Sequence, residues 1–270
     1  MIAATDIVTL APGVDIRQEL LRDAVRGHAW PLNASGAFVL ARTGRPLGAV
    51  ASELADVFSL PPSEARGDVV RFVWELNRLA LVNVERTASR LAQLIDWLRL
   101  AVRLAPVGAL PAPITRRREI DTRTAALAIS SCFKAVLPRV ALVASVATIL
   151  AAHVALIVGA ALVVPLLVGL GAGLGLGIHE AAHAALLRGV PSALVVRGPR
   201  TRVLHAAIAP SRRVLVAVGG PLVVAALGLA IVLGGELTTM PGVTIAGCPL
   251  AAHALSLTVV GGDGRIACGL

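Results

Sequence analysis

Tyrosine is absent from the 270-residue chain, aromatic residues reach only 3% and charged residues 15%, while hydrophobic residues make up 56%. With a mean hydropathy of +0.81, the chain is too apolar for the surface of a purely soluble domain. Few aromatics means few platforms on which a single-strand binder could stack bases. The net charge of +9 is therefore read as topological, as arginines flanking membrane spans, and no nucleic-acid partner is expected. Cys132, Cys248 and Cys268 stand far apart, which gives neither a disulfide framework nor a CxxC metal knuckle. The opening MIAATDIVTL lacks the charged segment and long apolar core of a secretory signal.

Acidic residues are unevenly scarce. Thirteen of the 16 precede Lys134, and only Glu180, Glu236 and Asp263 follow it. A mixed-charge N-terminal part thus gives way to an apolar C-terminal part through a connector bearing Arg116, Arg117, Arg118 and Arg123.

From Val140 to Ile178 only Ser145, Thr148 and His153 interrupt apolar residues and glycine. As a helix this run would extend about 58 Å, roughly two bilayer cores, so it must fold back once, near Gly159 and Pro165. The expected architecture is mainly α: a polytopic bundle of about four spans near 140–159, 163–187, 214–233 and 249 to the C-terminus. The stretch Thr124–Leu137 reads as an interfacial or pre-span helix. Six arginines and no acid lie between spans two and three, and no Lys or Arg lies in the loop between spans three and four. The positive-inside rule places the 188–213 loop, the N-terminal domain and both termini in the cytoplasm.

Polar groups inside a span carry the chemistry. His179 and His183 stand four apart in HEAAH, so on a helix they project from one face and can bind one metal, with Glu180 beside them. Three ionisable groups in hydrocarbon cost several kcal/mol unless they pair, bind metal or face water. A catalytic zinc wants a third protein ligand, and the apolar half offers Asp263, about 10 Å from the cytoplasmic end of span four by helical rise and so at the depth of the histidines. His253 precedes Asp263 by ten residues, about 15 Å along a helix, too far for the same metal. Gly169, Gly171, Gly173, Gly175 and Gly177 let neighbouring helices approach closely or let this helix loosen.

These residues resemble the site-2 protease type of intramembrane zinc metalloprotease, which carries HExxH, a Gly-Pro motif and an Asp-Gly on successive core helices. The matching positions are His179 to His183, Gly220 with Pro221, and Asp263 with Gly264. The resemblance covers about residues 138–270 and implies zinc held by His179, His183 and Asp263, with Glu180 as general base and Gly220 and Pro221 beside the substrate. GVPSALVVRGPRTRVLHAAI is similar to the short β-rich insertion of that family. Two departures stand out: Val224 where an Asn is usual, and no Pro near the Asp-Gly.

Residues 1–86 read as a small winged-helix-like α+β domain, with strands before Leu32 and helices near Ala34–Ala41, Leu47–Phe58 and Ser63–Leu79. Val69, Val70, Phe72, Val73, Leu76 and Leu79 keep helical spacing and form a core face. LAPGV, LNASGAFVL and LPPSEARGDVVRFVWELNRLALV resemble the PqqD-type peptide chaperone, the recognition element for leader peptides of ribosomally made, modified peptides. That resemblance implies a leader adding as a strand near Ala29–Leu32 against the helix with Arg71, Glu75 and Arg78. It also implies a peptide-modifying enzyme as a further partner. Residues 87–137 form the connector, in which Ser89–Leu104 is amphipathic, suited to the inner leaflet or to packing as a linker, and a Pro-rich spacer follows.

The expected function is maturation of a leader-bearing precursor peptide by a zinc metalloendopeptidase in the bacterial cytoplasmic membrane, embedded in the lipid bilayer. Two alternatives stay open: a non-proteolytic peptide-binding, export or immunity factor, and a regulatory protease that cuts a membrane-bound transcription regulator.

Overall fold

A computed structural model describes residues 2–89, 91–93, 95, 99, 102, 113–159, 161–197 and 200–257. The chain is mostly helical and divides into two compact units, Met1–Glu119 with Ala193–Leu204, and Ile120–Ser192 with His205–Leu270.

In the first unit, β1 (Ile7–Leu10) pairs antiparallel with β5 (Val82–Glu85), Ile7 opposite Glu85. Strands β2 (Val14–Arg17), β3 (Leu20–Asp23) and β4 (His28–Pro31) form an antiparallel meander in which β4 is an edge. Gly13 just before β2 and Gly27 in the β3–β4 turn take φ of +76° and +69°, a conformation glycine adopts at little cost. Helices α1 (Ala34–Leu40), α2 (Leu47–Phe58) and α3 (Pro62–Arg78) follow, each end within about one residue of where the apolar spacing put it. The Asn33 side chain accepts from the Gly36 N–H at 2.8 Å, capping α1. Pro62 starts α3, where its missing N–H costs nothing.

Leu21, Leu40, Val50, Val69, Val73, Leu81 and Val84 pack into one core. The α3 stripe contributes Val69, Val73 and Leu76, but Leu79, expected in it, is 44% exposed. It follows the last turn of α3, so the helical period no longer governs where its side chain goes.

The arginine-rich connector holds a surprise. Residues Thr115–Ile120 form β6, in a three-stranded sheet with β7 (Ser192–Arg197) and β8 (Arg200–His205), in the order β6-β7-β8. Arg117 is fully buried and its guanidinium donates to both carboxylate oxygens of Asp23 at 2.8 Å. Two asparagines bind the same strand by its backbone. Asn77 Nδ2 donates to the Thr115 carbonyl at 2.8 Å and its Oδ1 accepts from the Thr115 N–H at 2.9 Å, while Asn83 does the same at Arg117, at 2.9 and 2.8 Å. Each amide side chain thus replaces a β-ladder partner.

The second unit contains three helices long and apolar enough to cross a membrane: α4 (Ala125–Val158), α5 (Val163–Leu186) and α6 (Pro210–Leu237). Helix α7 (Pro241–Ala251) is shorter and runs into a 3₁₀ turn, Ala252–Leu257. Of the expected fourth span only residues 249–257 are described; Asp263 and Gly264 lie outside the described residues. So does most of the stretch expected as an amphipathic helix and Pro-rich spacer. Residues 125–137 are continuous with the first span across Pro138, so that segment is no separate crossing. Leu142, Ile149, Leu156, Leu166, Leu170 and Leu229 are all more than half exposed, the side-chain band that a bilayer would solvate.

The alternate glycines of α5 sort into two rows. Added Cβ atoms at Gly173 and Gly177 would come within 2.8 Å of the Val140 carbonyl and 2.7 Å of Phe133 in α4, and one at Gly169 would meet Thr148 there. Cβ atoms at Gly171 and Gly175 would come within 2.5 Å of the Ala246 carbonyl in α7 and of His253 Nε2 in the turn after it. The rows follow from helix geometry: residues four apart share a face, so alternate glycines thin both sides.

Candidate functional site

The second glycine row continues, at the same four-residue step, into His179 and His183. Both histidines and Glu180 are buried. The two Nε2 atoms lie 3.0 Å apart, close to the roughly 3.3 Å between two nitrogen ligands of a tetrahedral zinc. His183 Nδ1 lies 2.6 Å from the Val216 carbonyl of α6. A carbonyl only accepts, so Nδ1 carries a proton, and in the neutral ring this tautomer leaves the lone pair on Nε2. Orientation of a ligating imidazole through its other nitrogen is the usual support around a metal.

Gly220 and Pro221 of α6 are buried. A Cβ on Gly220 would stand 2.5 Å from His183 Nε2, so glycine there lets α6 pass over the imidazole. Gly220 is thereby placed against His183 within one unit.

Sequence spacing sets His253 too far from Asp263 for the same metal, yet the fold brings it to His179. Its ring centroid lies 5.5 Å from that of His179, against Gly175. Straight-helix rise could not show this proximity because it arises across helices. The signal available was an ionisable residue in an apolar segment. Among the described residues no group of three or more His, Cys, Asp or Glu converges on one metal position. The two apposed imidazoles are of the donor type that zinc takes and supply two of the three protein ligands of a catalytic site.

A second site lies in the first unit. A groove of about 510 Å³ runs between Pro31 and Leu32, at the end of edge strand β4, and Asp68, Val69, Arg71 and Phe72 of α3. Its floor includes Val39 and Leu54, and Asn33 and Ser35 stand among its polar groups. Arg71 lines it and pairs with Asp68. Glu75 and Arg78, the other two α3 residues expected there, are bonded to each other at 3.2 Å and are not among its lining residues. They lie further toward the C-terminus of α3.

No curated protein and no solved structure matches the chain. The family described as Coenzyme PQQ synthesis protein D (PqqD) matches residues 8–82. The first unit thus contains a PqqD domain, whose matched residues hold both the open-edged meander and the groove beside α3.

Proposed function

We propose that the protein is a membrane-embedded zinc metalloprotease. It binds a leader-bearing precursor peptide through its PqqD domain and hydrolyses a peptide bond near the cytoplasmic membrane face. The observation that carries this reading is the apposition of His179 and His183 beside Glu180, all buried in a helix able to cross a membrane. Ionisable groups at such depth are costly without a partner or a task.

His179, His183 and Asp263 would hold the zinc ion. When bound, zinc lowers the pKa of a water toward neutrality and polarises a carbonyl. Glu180, next to His179 in the chain, is the base that takes the water's proton and returns it to the leaving amine. The Val216 carbonyl fixes the His183 tautomer, and Gly220 leaves room for its ring. The leader adds as a strand to β4 of a winged-helix-like domain, with side chains entering the groove beside α3. The arginines between α5 and α6 support a topology with this end of α5 and the recognition domain on the cytoplasmic side.

The test uses the full chain in nanodiscs with each short peptide encoded beside its gene, followed by mass spectrometry. Wild type is expected to cut one of them, with cleavage lost on chelation and in Glu180→Gln. Equal cleavage by Glu180→Gln would contradict the reading.

A further inference from the structure

The edge strand and the charges beside it define which peptide the groove would take; this rests on the leader-binding reading above. The Leu32 N–H donates to the Glu19 carbonyl, and antiparallel bonding alternates. His28 and Trp30 therefore direct their backbone groups to β3, and Ala29 and Pro31 turn theirs to the open edge. Proline has no N–H, so the edge offers the N–H and carbonyl of Ala29 and the carbonyl of Pro31. A strand added here is anchored at Ala29.

Cross-strand neighbours share a face. Ala29 is opposite Arg22, and Arg22 is opposite Asp15. Asp15 is bonded to Arg17 on its own strand at 3.1 Å. Arg22 is exposed, and its guanidinium has no ion-pair partner among the described residues. A recess of about 410 Å³, whose lining includes Asp15, Arg17, Arg22, His28, Ala29 and the Arg117-bound Asp23, lies beside this edge. Ala29 carries only a methyl group, so the Arg22 side chain can pass over it toward an added strand, about 10 Å from β3 at ordinary spacing.

We infer that Arg22 reads an acidic side chain at the leader position opposite Ala29. The groove lined by Leu32, Val69 and Phe72 takes an apolar side chain from the opposite face of the same strand. Opposite faces require an odd separation, and Leu32 lies three positions from Ala29. The recognised segment therefore carries an acidic residue three positions from a Leu, Ile, Phe or Met, in the order that strand direction sets.

The experiment selects a random dodecapeptide display library on the full chain in nanodiscs, in parallel for wild type and Arg22→Glu. Wild type is expected to enrich Asp or Glu at that spacing, and Arg22→Glu to enrich Lys or Arg in its place. A wild-type consensus peptide is expected to bind the variant on the order of three- to tenfold more weakly. Enriched peptides without an acid at that spacing, or an unchanged motif in Arg22→Glu, would overturn the inference and leave the recognition reading standing. No enriched peptide at all would overturn both. Arg22 is exposed, so the substitution leaves the core intact, which circular dichroism verifies.

Discussion

Gly220 lies against the imidazole of His183, so closely that a Cβ would stand 2.5 Å from Nε2. A backbone position in α6 thus sets the space in which the His183 ring of α5 sits. Gly220→Ala must push the ring or part the helices. Isothermal titration should show zinc affinity falling about ten- to a hundredfold, the range for disturbed support of a ligand. Gly234→Ala in the same helix is the control, since its Cβ meets nothing within 4 Å; equal affinity losses in both variants would contradict the assignment.

Gly173 tests the glycine rows. An added methyl there meets the Val140 carbonyl at 2.8 Å and Ala144 Cβ at 2.9 Å, backbone and short side chain that cannot swing aside. Gly173→Ala should cost about 1–3 kcal/mol, read as an earlier transition when unfolding in detergent is followed by circular dichroism.

The Asp23–Arg117 pair joins residues 94 apart, with both side chains fully buried. Arg117→Ala leaves a buried carboxylate without its main partner, a loss of about 3–5 kcal/mol. Hydrogen exchange in the full chain should report it as faster opening of β2, β3 and β6. Asp23→Asn keeps an oxygen for the Val25 and Arg26 N–H groups, which bond Oδ1 at 3.0 and 3.2 Å, but sets an amide donor against Arg117 Nη1 and leaves that guanidinium without its counter-charge, so it should cost a similar amount.

The same carboxyl sets an acid limit. Burial alone would raise its pKa, and Arg117 with Arg26 outweighs burial and holds it below the usual carboxylate value. A group depressed in the folded state stabilises it above the unfolded pKa, about 3.9 for Asp, and that stabilisation fades as pH falls through the folded value. The first unit should therefore lose stability below about pH 4, and Arg117→Ala should flatten the slope in a pH series of unfolding midpoints.

Local pattern made much of this legible from the residues. The α2 and α3 stripes and the HEAAH spacing depend on near neighbours only, and three of the four expected spans correspond to helices long and apolar enough to cross a membrane, while only residues 249–257 of the fourth are described. What stayed hidden was set by distant partners. Arg117 looked like one more cytoplasmic arginine because Asp23, Asn77 and Asn83, which bury and bind its strand, come from other elements. Alternate glycines announced close packing, but which row faces α4 and which faces α7 depends on where those helices fold back. His253 reaches His179 through that same fold-back.

The most direct measurement is the zinc content of purified full-length protein, wild type beside His179→Ala/His183→Ala and Glu180→Gln. About one zinc per chain is expected in wild type and in Glu180→Gln, and almost none in the double-histidine variant. Wild-type protein without stoichiometric zinc, or a double variant that keeps it, would contradict the account.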